Sequence, residues 1–83
     1  MNLYKLTQTE VRGSDTYDSC VVAARTLEDA LQIHPSEFVT GKDWPQDFGR
    51  SWAGSPEKVN AEYIGKAAKG TLPGIICASF NAG

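Results

Sequence analysis

Only two cysteines, one histidine and one methionine occur among the 83 residues, and these scarcities exclude more chemistry than the abundant residues suggest. Cys20, Cys77, His34 and scattered carboxylates are all that a transition metal could use. Their spacings match no zinc pattern, so no metal centre and no cofactor are expected. There is no G-x-S-x-G, and both cysteines lie in apolar, strand-like segments, which argues against a nucleophile. Gly65, Gly70 and Gly74 are separated by ordinary residues with no G-K-[ST], so a phosphate loop is absent. The chain reads as non-enzymatic.

Long apolar runs are missing too. The longest, Cys20 to Ala24, falls far short of the ~20 residues that a bilayer span requires, and Met1 to Lys5 has no charged segment leading into an apolar one. The expected compartment is the cytoplasm, with no membrane contact. Basic excess is lacking as well: eight Lys and Arg against ten Asp and Glu give a net charge of -2, which disfavours duplex DNA as a partner. The acids are scattered rather than run together, as a DNA mimic would need. Two cysteines without a disulfide framework read as reduced core residues, and a bridge between them is open only if their strands are neighbours.

What is present is the pattern of one small domain, residues 1–83, near the lower end of what folds alone. Tyr4 and Leu6 alternate with Lys5 and Thr7 in a first strand over Leu3 to Glu10. Gly13, Ser14 and Asp15 mark a turn, and Thr16 to Ala24 returns as the hairpin partner. Thr26 stands at a helix N-cap position with Asp29 three residues on, and Leu27, Ala30, Leu31 and His34 follow at helical spacing. This predicts a helix of about two turns that ends before Pro35. Val59 to Gly65 and Ile75 to Phe80 read as third and fourth strands, the former preceded by a single turn at Ser55-Pro56. The expected fold class is α+β, a mainly antiparallel sheet of about four strands in the order β-β-α-loop-β-β, with the short helix on one face.

Between Pro35 and Pro56 the pattern breaks. The segment holds three prolines, three glycines and four aromatics without a sustained period, and loops of this length in small domains are more often functional than accidental. Trp44, Phe48 and Trp52, interleaved with Lys42 and Arg50, suit stacking on a base or anchoring a partner protein. The competing reading closes the core with at least one of the tryptophans. Arg12, Asp15, Tyr17 and Asp18 make the hairpin tip a second candidate contact surface. Asp15 and Asp18 could be paired for acid–base work, although a turn role for Asp15 is the simpler reading. His34 could act as a general base, but beside Pro35 it reads as a capping or packing residue. The candidate ligand- or partner-binding residues are therefore Arg12, Asp15, Tyr17, Asp18, His34, Trp44, Arg50 and Trp52. The edges of a four-stranded sheet also offer a route to a homo-oligomer.

Leu3-Tyr4-Lys5-Leu6, Asp15-Thr16-Tyr17-Asp18-Ser19 through Ala23-Ala24, Ile33-His34-Pro35, Tyr63-Ile64-Gly65 and the ending Ala78-Ser79-Phe80-Asn81-Ala82-Gly83 resemble the corresponding stretches of a family of short phage- and prophage-encoded proteins. Ser14 departs from the aromatic of that pattern's G-Y-D-T-Y-D form. The resemblance implies an accessory protein that counteracts host defence. Foremost is sequestration of a nucleotide immune signal, with loop aromatics stacking on bases and Arg12 or Arg50 meeting phosphate. The alternatives are direct, anti-CRISPR-type inhibition of a defence effector protein and a structural role in phage assembly.

Overall fold

Alternation in the first strand and the apolar run of the second are resolved by a hairpin that buries one face. The computed structural model describes residues 1–36 and 51–81. β1 (Asn2–Thr7) and β2 (Thr16–Ala24) pair antiparallel with Tyr4 opposite Val22 and Leu6 opposite Cys20. Those four side chains are buried on a common face, while Lys5, one residue out of phase, is exposed. The hairpin forms the centre of a four-stranded antiparallel sheet in the order β3-β1-β2-β4, with β3 (Asn60–Lys66) beside β1 and β4 (Gly74–Asn81) beside β2. The described residues are mostly sheet, with one short α-helix, so the expected α+β class holds only loosely.

The last two strands are successive in sequence yet lie on opposite edges. Their connection, residues 67–73, must span three strand spacings, about 14 Å, against a reach of about 24 Å for seven extended residues. It runs past the open end of the hairpin, where the Ala67 amide donates to the Met1 carbonyl and a turn is closed by Thr71 onto the Ala68 carbonyl.

The helix α1 (Leu27–Leu31) begins as expected. Thr26 is extended at the N-cap, and its hydroxyl accepts from the Asp29 amide at 3.1 Å. It is shorter than the two turns expected, because the amides of Gln32 and Ile33 bond back to Asp29 and Ala30, three residues earlier, and tighten the end. Ala30 is buried, Leu31 and Ile33 pack at the margin of the core, and Leu27 is largely exposed instead of joining the buried stripe.

A five-residue helix cannot cover the buried face by itself. Among the described residues Trp52 and Ala53 add to the cover, joining Tyr4, Leu6, Cys20, Val22, Ala24, Ala30 and Val59 in one apolar cluster. Trp52 is 1% exposed, the largest fully buried side chain among the described residues. A 3₁₀ turn at Pro56–Lys58 then delivers Val59 to the core, with Ser55 at the N-cap and Pro56 first in the turn, as its sequence suggests.

The cysteines correct an expectation. Their strands are neighbours, yet Cys20 lies opposite Ala78 and Cys77 opposite Val21, so the two thiols sit on opposite faces. A bulge is the cause. The register shifts between Val21 and Val22, leaving Ile76 as an extra residue that turns Cys77 onto the helix-free face, where it is exposed. Both cysteines are free. Burial, with a smaller repulsion from Cys77, pushes the Cys20 thiol from its ordinary 9.0 up to about 12.

Alkylation of the native protein at mildly alkaline pH should therefore label Cys77 and spare Cys20, and peptide mass mapping before and after denaturation checks this. Because native Cys20 holds its proton more tightly than the unfolded chain does, its contribution to stability is intact below pH 9.0 and is lost progressively as pH rises towards 12. Trp52→Ala should cost ~3–5 kcal/mol in denaturant unfolding. Trp52→Phe should cost far less, about 1 kcal/mol, because the indole N–H is buried without an acceptor among the described residues and its removal offsets part of the lost packing.

Candidate contact surface at the hairpin end

The hairpin loop, residues 8–15, is longer than a tight turn needs, and the extra length is held by side-chain hydrogen bonds. Gln8 is buried, its amide nitrogen donates to the carbonyls of Val11 (2.8 Å) and Tyr17 (3.0 Å), and its oxygen accepts from the Val11 amide at 2.9 Å. One side chain thereby supplies the pairing that β1 would have supplied had it continued past Thr7. The Thr16 hydroxyl donates to the Gly13 carbonyl at 2.8 Å. Gly13 (φ 104°) and Asp15 (φ 60°) both take left-handed backbone, which glycine adopts freely and aspartate tolerates better than most residues.

The C-terminal strand ties the same end from the other side. The Asp15 amide donates to the Asn81 carbonyl, and the Asn81 side-chain amide donates to the Asp18 carboxylate at 2.8 Å. Asp18 is the extra residue of a bulge, since Tyr17 lies opposite Phe80 and Ser19 opposite Ser79. Tyr17 is half-buried and its ring lies 4.7 Å from that of Phe80, tilted by 54°. Segment 51–54 returns here as well. The Ser51 carbonyl accepts from the Tyr17 amide at 2.7 Å, and the Glu10 carboxylate accepts from the Gly54 amide at 2.7 Å.

Four of the residues singled out from the sequence, Arg12, Asp15, Tyr17 and Asp18, are thus gathered at one ordered end of the sheet. Sequence reasoning missed Phe80, Asn81 and Glu10, which join them; pairing of the C-terminal strand with β2 was the missing information. Among the described residues, the carboxylates of Asp15 and Asp18 stand exposed at the tip beside the guanidinium of Arg12, and Glu10 is engaged by the Gly54 amide.

Two other candidates are placed differently. Trp52 closes the core and presents no face for stacking. His34 is 4% exposed, and its Nδ1 accepts from the Ser36 amide at 3.0 Å, so the ring fixes the turn after the helix, as its packing alternative expected. Trp44 and Arg50, with Lys42 and Phe48, lie outside the described residues.

Among the described residues, two clefts flank the helix. One, about 380 Å³, is lined by Glu28, Leu31, Gln32, Pro56 and Glu57. The other, about 460 Å³, is lined by Ala24, Arg25, Asp29, Gln32, Ile33 and Pro73. Neither is lined by a candidate binding residue from the sequence, and the first presents two carboxylates. Among the described residues, no three His, Cys, Asp or Glu side chains converge as metal ligands, and no helix is long and apolar enough to cross a membrane. No protein-family model, curated protein or solved structure matches the chain.

Gln8→Leu should leave the Val11 amide and two carbonyls without their partner and destabilise the protein by about 2–3 kcal/mol. Hydrogen exchange should then quicken at the Val11 amide more than at amides in the middle of β1. Equal quickening throughout the sheet would show that Gln8 holds no local structure at the tip.

Proposed function

We propose that this is a small, non-catalytic binding protein of the phage accessory kind that its sequence resembles, acting in the host cytoplasm by contacting a defence protein directly through the hairpin end. The observation that carries this reading is the ordered acidic tip, in which Asp15 and Asp18 are fixed by Asn81 and Tyr17 is fixed by Phe80. A rigid tip loses little entropy on docking, and the exposed carboxylates of Asp15 and Asp18 favour a basic protein surface.

Nucleotide sequestration, the foremost expectation from the sequence, has less support on the described surface. Trp52 is unavailable for stacking, and the exposed carboxylates of Asp15 and Asp18 oppose phosphate near Arg12. An assembly role is left to the sheet edges, which carry several large exposed apolar side chains.

Capture from a host that carries CRISPR effectors should recover an effector subunit with the unmodified protein. Recovery should fall at least about tenfold with the Asp15→Asn/Asp18→Asn variant and weaken with added salt. Asparagine keeps the left-handed preference at position 15, so the fold is retained. A nucleotide at about 100 times its dissociation constant would stabilise the chain by ~2.7 kcal/mol, a shift of roughly 10 °C or more. No such shift is expected across cyclic dinucleotides, cyclic trinucleotides and cyclic ADP-ribose isomers. A clear shift with any of them would favour sequestration over effector contact.

A further inference from the structure

The two edges of the sheet are built differently. β3 carries Glu62 and Lys66, both exposed, and is broken by a register shift that leaves Ile64 as an extra residue before Gly65, whose φ is 144°. Charges and a bulge are the usual means of keeping an edge from pairing with another chain. β4 (GIICASFN) has no charged residue and no proline along its length, and from Ile76 to Asn81 every residue is exposed. Its one irregularity lies at its beginning, at Ile76.

The direction of the backbone groups on β4 follows from one bond. The Asn81 carbonyl accepts from Asp15 and therefore points towards β2. Alternation along the strand then turns Ser79 and Cys77 towards β2 as well, and aims the amides and carbonyls of Ala78 and Phe80 outwards, with no partner strand among the described residues. Side-chain direction follows from the register. Ala78 lies opposite buried Cys20, so Ala78, Phe80 and Ile76 lean to the helix face, and Cys77 and Ser79 to the other.

We propose that β4 pairs antiparallel with β4 of a second copy, about a two-fold axis at Ala78. In this register the outward groups of Ala78 meet those of the same residue in the other copy, Ile76 of each lies opposite Phe80 of the other, and Cys77 lies opposite Ser79. The strand is self-complementary: it sets an aliphatic side chain against an aromatic one on one face, small polar groups against each other on the opposite face, and charge against charge nowhere. Ile76 and Phe80, now 50% and 47% exposed, would lose much of that exposure. The result is one continuous eight-stranded sheet with both helices on the same face. Its two acidic hairpin tips point in opposite directions, because each lies beside the C-terminal end of its own β4. The pairing rests on the edge alone and does not depend on the function proposed for those tips.

One strand pair buries less than the ~1,600 Å² of a standard interface, so association in the micromolar range is expected. Sedimentation of the full chain from about 1 to 500 µM should show the mass rising from one chain to two and stopping there. Ala78→Pro removes an outward amide that the β2 ladder does not use, and proline is tolerated at such edge positions. It should raise the dissociation constant at least about tenfold while the circular dichroism of the dilute protein is unchanged. Ile76→Lys should act in the same direction, and Glu62→Ala on the other edge should change neither mass nor affinity. A chain that stays single at the highest concentration overturns the proposal, as does growth beyond two chains. If Ala78→Pro fails to fold, Ile76→Lys decides, and an undiminished dimer with that variant refutes the pairing.

Discussion

Covering one face of a four-stranded sheet with a five-residue helix is the constraint on which the rest of this structure depends. A helix so short cannot stand alone and covers only part of the hairpin. Among the described residues, Trp52 and Ala53, where the long connection rejoins the described structure, extend that cover. The indole is buried although its N–H has no acceptor among the described residues, which indicates that its apolar bulk outweighs the loss of a hydrogen bond there. Trp52 is therefore scaffold. The described candidate contact residues lie instead at the end of the hairpin.

At that end the molecule solves a different problem. β1 stops at Thr7, while β2 begins with Thr16, opposite the end of β4, and the backbone between them must find partners without a strand. Gln8, Thr16, Asn81 and the Ser51 carbonyl supply them. The loop is held from three directions, and the side chains left pointing outwards, Arg12, Asp15 and Asp18, project from a fixed base. The same C-terminal strand that ties the tip has no partner strand on its far side among the described residues, which sets the candidate contact surface beside the edge through which copies of the chain are proposed to meet.

Much of this was legible in the sequence where local patterns decide. The second strand runs from Thr16 to Ala24 as its composition predicts, the Thr26 cap and the Pro56 turn are in place, and the third and fourth strands differ from expectation by a residue at either end. What stayed hidden depends on partners distant in sequence. Nothing in Val59 to Gly65 says that it pairs with β1 while the next strand crosses to the opposite edge. Nothing in Ile75-Ile76-Cys77 announces the bulge that moves Cys77 to the helix-free face, since continuous apolar runs carry no period for a register to follow. Of the candidate site, the hairpin tip was legible as a cluster of turn and charged residues. Asn81, Phe80 and Glu10 were not, because each reaches the tip only through the folded sheet.

The central claim is that Trp52 is a core residue of the sheet and not a contact residue. Fluorescence of a Trp44→Phe variant, in which Trp52 is the one indole left, tests it most directly. A blue-shifted emission shielded from acrylamide in the native state, lost in the same denaturant transition that abolishes the circular dichroism of the sheet, is the predicted result. Native emission as red and as readily quenched as that of a free indole would contradict it.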